Sequence, residues 1–88
     1  MTDMLMEKLA MSLAGHDKGH VYAVVKEEEG WVYLADGRGR TLEKPKRKNV
    51  RHVQMILHLP EEIGNLLGCA ERDSDLVHVL RLYQQKER

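Results

Sequence analysis

The sequence predicts a mainly β fold, with five short strands curled into a small antiparallel barrel and a pair of short α-helices at the C-terminal end. Three observations carry that expectation. Short β-branched and aromatic runs alternate with glycine-bearing turns over the first two-thirds of the chain. In the last third the hydrophobic period lengthens from two residues to about 3.6. The length, 88 residues, suffices for one core and not for two. Hydrophobic residues make up 42% of the chain and charged ones 32%, the balance of an ordinary globular domain and not of a disordered one. With no Phe and one Trp, the core has to be built from Val, Leu, Ile and Met.

The first strand is expected over Lys8–Leu13, whose alternation is imperfect, and it ends at the two-glycine turn Ala14-Gly15-His16-Asp17-Lys18-Gly19. Val21–Val25 follows as a β-branched and aromatic strand, and Glu27-Glu28-Glu29-Gly30 reads as the next turn. Trp31-Val32-Tyr33-Leu34-Ala35 is the clearest strand, and Asp36-Gly37 after it is a hairpin signal, because the favoured tight turn needs φ > 0 at its central residues. Thr41–Glu43 is expected as a short fourth strand stopped by Pro45, and Val50–Leu57 as the fifth. Five strands at this spacing fit a small twisted barrel. Pro60 then stands near a first helical position with Glu61 and Glu62 in the first turn, a favourable start for a helix ending near Gly68. Asp73 or Ser74 can cap a second helix, in which Leu76, Val79, Leu80 and Tyr83 recur at i, i+3, i+4, i+7. The polar tail, residues 84–88, is expected to fray. The organisation is thus a barrel over residues 1–58 and a helical appendage over 59–88, packed together as one domain.

Fourteen basic residues balance fourteen acidic ones, which by itself argues against a nucleic-acid binder working through bulk charge. The distribution of those charges points the other way. Residues 38–52 carry seven Lys/Arg (Arg38, Arg40, Lys44, Lys46, Arg47, Lys48, Arg51) against the single acid Glu43, while both flanking segments are net acidic. A local anionic target requires such segregation. Cys69 is the only cysteine, so neither a disulfide framework nor a cysteine-based zinc site can form within one chain, and a reducing compartment is the simplest reading. The start, MTDMLMEKLAMSLAG, mimics a signal peptide, but Asp3, Glu7 and Lys8 interrupt it, and no run approaches the length of a membrane span. A cytoplasmic protein without a membrane role is expected.

The run Gly15-His16-Asp17-Lys18-Gly19 between two strands resembles the central loop of the KOW family. The resemblance extends from about Leu9 to Gln54 and includes Ala35-Asp36-Gly37 and Leu42-Glu43-Lys44-Pro45-Lys46, segments most similar to the large-subunit ribosomal proteins of the archaeal and eukaryotic "fourteen-e" type and their small bacterial relatives. Where many KOW proteins carry a further glycine three residues after the Lys-Gly pair, this chain has Tyr22, which directs the match to the divergent ribosomal branch and away from transcription factors. The resemblance implies an SH3-like barrel that binds RNA, ribosomal RNA first of all, in association with the ribosome or translation and in company with ribosomal proteins.

The residues themselves offer a physical route to that activity. A glycine-flanked turn can aim successive backbone N–H groups at a phosphate while Lys18 adds a point charge; a plain tight turn with a solvated lysine explains the same residues. Gly37 and Gly39 place Arg38 and Arg40 at a loop tip, where guanidinium forks suit phosphates. In an up-and-down meander the first and third loops share an end, so Gly15, His16, Lys18, Gly19, Arg38 and Arg40 are expected to cluster as the RNA-binding surface. Lys46, Arg47 and Lys48 are expected nearer the opposite end, either contacting RNA or paired with Glu27–Glu29. Trp31 and Tyr33 share one side of their strand and are expected to pack under the helices, with base stacking as the other reading. His16 and His20 stand four apart but straddle the glycine turn without a third ligand, so no metal is expected. Nor does any nucleophile–base or paired-carboxylate arrangement stand out. No catalysis, no cofactor and no small-molecule substrate are expected. The competing reading of the same barrel is a protein–protein interaction module without RNA binding, docking through the acidic loop and the helix pair.

Overall fold

The computed structural model describes residues 6–86. Five antiparallel strands, β1 (Leu9–Ser12), β2 (Val21–Glu28), β3 (Trp31–Ala35), β4 (Lys46–Asn49) and β5 (Val53–Ile56), are followed by two helices, α1 (Glu61–Gly68) and α2 (Asp73–Lys86). The strands form one sheet in the order β4-β3-β2-β1-β5. Leu9 pairs with Ala23 on one side and with Ile56 on the other, and Leu34 pairs with Lys46.

Side-chain alternation divides the apolar residues between two faces. Leu9, Val21, Ala23 and Ala35 point to one face, where Ile63 and Leu67 of α1 and Leu76, Val79, Leu80 and Tyr83 of α2 cover them. Ala10, Tyr22, Val24, Val32, Leu34 and Val53 point to the other face and pack on one another. That second cluster needs no helix because the sheet curls around it. A single 3-10 turn, Val50–His52, joins β4 to β5, although these are the two edges of the sheet. Four flat strand spacings would separate them by about 19 Å, whereas a 3-10 turn advances only about 2 Å per residue. The edges therefore approach each other at that end. They do not merge: no ladder joins β4 to β5 among the described residues, and the sheet is open.

Three strand boundaries depart from the sequence expectation. The fourth strand is Lys46–Asn49 rather than Thr41–Glu43, so Pro45 precedes it instead of ending the strand. Placed there, Pro removes no ladder donor. The fifth strand loses its first three residues to the 3-10 turn, which Asn49 caps by accepting the Arg51 N–H at 2.8 Å. The second strand runs on through Glu28. Its pairing with β3 slips at Val25, so Val24 faces Leu34 but Lys26 faces Tyr33, the signature of a bulge.

The helices begin and end close to expectation, with Pro60 immediately before α1. Capping of α2 differs. Asp75 accepts the N–H groups of Glu71 and Arg72, while Asp73 Oδ1 accepts the N–H of Leu42 at 2.7 Å and so ties the long loop before β4 to the helix start. Residues 84–86, expected to fray, are helical, and Lys86 pairs with Glu62 of α1 at 3.1 Å. Residues 1–5 of the signal-like start and 87–88 of the tail lie outside the described residues. Among the described residues no helix is long and apolar enough to cross a membrane.

Candidate functional site

The β1–β2 loop (residues 13–20) and the β3–β4 loop (residues 36–45) leave the sheet at the same end. The organising centre of the first loop is Asp17. Its Oδ1 accepts from Ser12 Oγ at 2.8 Å and Lys48 Nζ at 3.2 Å, and its Oδ2 from Tyr22 O–H at 2.6 Å and Lys46 Nζ at 2.8 Å. Four donors thus fill the acceptor sites of a carboxylate. Burial alone would push the Asp17 carboxyl up, but the hydrogen bonds from Lys46, Tyr22, Ser12 and Lys48 together hold it far below the usual carboxylate range. Burial and the adjacent Asp17 charge push the Tyr22 phenol up in turn. The network fixes the glycine loop to β2 and β4 at once, and Lys48 Nζ also donates to Ala14 O at 3.1 Å.

Asp36 organises the second loop. Its Oδ1 accepts the N–H groups of Arg38 and Arg40 at 2.9 and 3.0 Å, and its Oδ2 lies 2.9 Å from His20 Nε2. Burial raises the Asp36 pKa, but these backbone hydrogen bonds and His20 outweigh it and hold the carboxyl below its ordinary value. Asp36-Gly37 is accordingly the start of a ten-residue loop and not a two-residue hairpin. Gly37 has φ 82° and lies so close to α2 that an added Cβ would stand 2.2 Å from Asp73 O. Only glycine fits there.

Of the residues expected to bind RNA, the structure brings Gly15, His16, Lys18, Gly19, Arg38 and Arg40 to this end, and all six are exposed there. The N–H groups of Gly15, His16 and Asp17 donate to no protein acceptor among the described residues. Lys46, Arg47 and Lys48 do not stand together as one patch at the opposite end. Because Lys46–Asn49 is a strand, alternation splits them: Lys46 and Lys48 turn inward opposite Leu34 and Val32 and reach Asp17, whereas Arg47 turns outward. Both ammonium groups reach the glycine loop, although the Lys48 backbone stands level with Glu27 across β3. Glu27 and Glu28 pair instead with Lys8 at 2.6 Å and Lys26 at 3.0 Å.

Trp31 and Tyr33 are not covered by the helices, which sit over β1 and β2 and reach β3 only at Ala35. Trp31 is 36% exposed with the Arg47 guanidinium 4.3 Å from its ring centre, and Lys26 Nζ lies 5.5 Å from the Tyr33 ring.

Asp17, Asp36 and His20 hold the site together, and sequence reasoning assigns them no such role. An Asp in a glycine turn reads as turn chemistry. The signal that could reveal Asp17 is the polar pair Ser12 and Tyr22, both on the inward face of otherwise apolar strands and each in need of a partner.

No protein-family model matches the chain, and no curated protein matches it.

Proposed function

We propose that this protein is a KOW-type RNA-binding protein with an SH3-like architecture, recognising structured RNA, ribosomal RNA first of all, through the two loops at the Asp17–Asp36 end. One observation carries the reading. Among the described residues every ion pair is made by a lysine or by His20, and none by an arginine. Arg38 and Arg40 are therefore exposed forks without a carboxylate, set on a loop whose backbone Asp36 fixes. Planar forks of this kind bind phosphates bidentately. The turn at Gly15 adds N–H groups without a protein acceptor among the described residues, and Lys18 beside them, the components of an anion nest. The strand order supports the same reading: β5 lies beside β1, and a 3-10 turn links β4 to β5 in a sheet that stays open.

Contact with three to five phosphates gives a slope of log K against log salt of about −2 to −4 on RNA. Titration of fluorescently labelled ribosomal RNA at several salt concentrations measures it, and co-sedimentation with ribosomes before and after a high-salt wash locates the interaction. A flat response, or no binding at low salt, overturns the proposal.

A second reading, a protein-docking module, has one observation in its favour. A cleft of about 570 Å³ between β5 and α2 is lined by Met11, Met55, Ile56 and Leu57, and Leu57 is 59% exposed. Methionine-rich grooves suit protein partners. Protein retained by ribosomes after RNase digestion of the exposed RNA favours this reading.

A further inference from the structure

A second cleft, of about 300 Å³, opens between the β3–β4 loop and α2. Its floor is apolar, made by Val21 of β2 and by Val77 and Leu80 of α2, and its walls carry Arg38 from the loop and Arg81 from the helix. Arg81 is exposed and forms no ion pair among the described residues. Asp36 also lines the cleft, but its carboxylate is already engaged by two backbone N–H groups and by His20, and its side chain is only 12% exposed. The accessible charge of the walls is cationic. The two walls are also held in fixed relation, because Gly37 is seated against Asp73 and Val77 of α2, and Asp73 holds the Leu42 N–H.

We propose that this cleft receives one unpaired nucleotide of the bound RNA, its base lying on the Val21–Val77–Leu80 floor and its phosphate held between Arg38 and Arg81. The inference rests on the RNA reading above and extends the interface from the sheet loops onto α2. Three features select this occupant. The volume stands at the lower end of small-ligand sites, matching a single nucleotide and too small for a helical segment of RNA. An apolar floor beneath two guanidinium groups complements a base joined to a phosphate. Arg38 belongs both to this cleft and to the proposed loop surface, so a strand lying on the loops has its next nucleotide within reach. In RNA, unpaired bases are the ones free to enter such a cleft.

The test compares Arg81→Gln with the wild type in binding a hairpin RNA that has a single-stranded loop, alongside NMR titration of the wild-type protein with adenosine 5′-monophosphate and with inorganic phosphate. Arg81→Gln is expected to melt at the wild-type temperature, to bind the hairpin five- to tenfold more weakly, and to lose about 0.7 from the magnitude of the salt slope, one phosphate on single-stranded RNA. The mononucleotide is expected to shift the Val77 and Leu80 methyl signals and the Arg38 and Arg81 side-chain N–H signals together, and phosphate only the latter. Unchanged affinity in Arg81→Gln, while Lys18 and Arg40 variants still lose binding, overturns the cleft and leaves the loop reading standing. Identical responses to phosphate and mononucleotide, with the methyls unmoved, overturn the nucleotide assignment. Absence of RNA binding by the wild type removes the loop reading and the cleft with it.

Discussion

Asp17 has four donors and a side chain only 15% exposed, so it acts as a structural ion rather than a surface charge. An amide in its place takes away the charge facing two ammonium groups and leaves one acceptor oxygen where four donors converge. Asp17→Asn is expected to destabilise the fold by about 2–3 kcal/mol, somewhat below the cost of breaking a fully buried pair because Lys46 keeps contact with water. Urea unfolding measures it. The pH dependence has a definite sign. The folded-state pKa of Asp17 lies far below its unfolded value, so its contribution is complete above the unfolded pKa, about 3.9, and is lost as the pH falls further. The gap between wild type and Asp17→Asn should be constant from pH 7 to about pH 5. Below about pH 4 it should narrow by roughly 1.4 kcal/mol per unit. Other carboxylates, Asp36 among them, titrate in both proteins and cancel in the comparison. A gap that stayed constant down to about pH 2 would sink the assignment of Asp17 as the shared acceptor. None of this is legible from the turn itself, since the donors come from β1, β2 and a fourth strand that the apolar pattern does not locate.

At the scale of elements, legibility follows the apolar pattern. The run Trp31–Ala35 alternates and is flanked by glycine-bearing turns, so β3 is legible to the residue, and the leucine and valine spacing locates α2 to within its ends. Lys46-Arg47-Lys48-Asn49 has no apolar residue, and as a sequence it is a solvated charge run. It forms a strand because tertiary context supplies what propensity lacks: β3 offers a free edge, and the inward lysines lay their aliphatic stems on the inner core while their heads reach Asp17. The bulge at Val25 is equally invisible, since one extra residue leaves no mark on a short β-branched run. The helices are different, because their stripe has only one place to go. Leu76 is fully buried between α2, α1 and the sheet and lines neither cleft. Leu76→Ala is expected to cost about 3 kcal/mol in thermal or denaturant unfolding. At temperatures well below the transition the variant should bind RNA as the wild type does. A negligible loss of stability would mean that α2 is not held by the core it faces.

For the whole molecule, a net charge of zero conceals two differently charged ends. The turn at Glu29-Gly30 closes one end, and the eight residues of β2 separate it from the glycine loops by about 25 Å. At the loop end, Lys18, Arg38 and Arg40 stand without an ion pair among the described residues. Arg51 lies at the other end, since Val50 beside it donates to Gly30 O at 3.0 Å, and Arg47 lies on the outer sheet face over Trp31. Two double charge reversals therefore remove equal charge from different places: Arg38→Glu with Arg40→Glu, and Arg47→Glu with Arg51→Glu. Lys46 and Lys48 are unsuitable for such a comparison, because reversing them strips Asp17 and unfolds the loop that is being tested. The first pair should leave stability within about 0.5 kcal/mol, and the second should lower it by no more than about 1 kcal/mol, the worth of an exposed cation–π contact. Binding driven by bulk charge would treat the pairs alike. Recognition at the loop end makes the first pair cost at least tenfold more affinity, about 1.4 kcal/mol, and it alone should flatten the salt dependence, because only contacted phosphates release counterions. Equal losses would identify a diffuse basic surface. A larger loss from the second pair would move the interface to the Trp31 face, where Arg47 and two partly exposed aromatic rings offer a stacking surface instead.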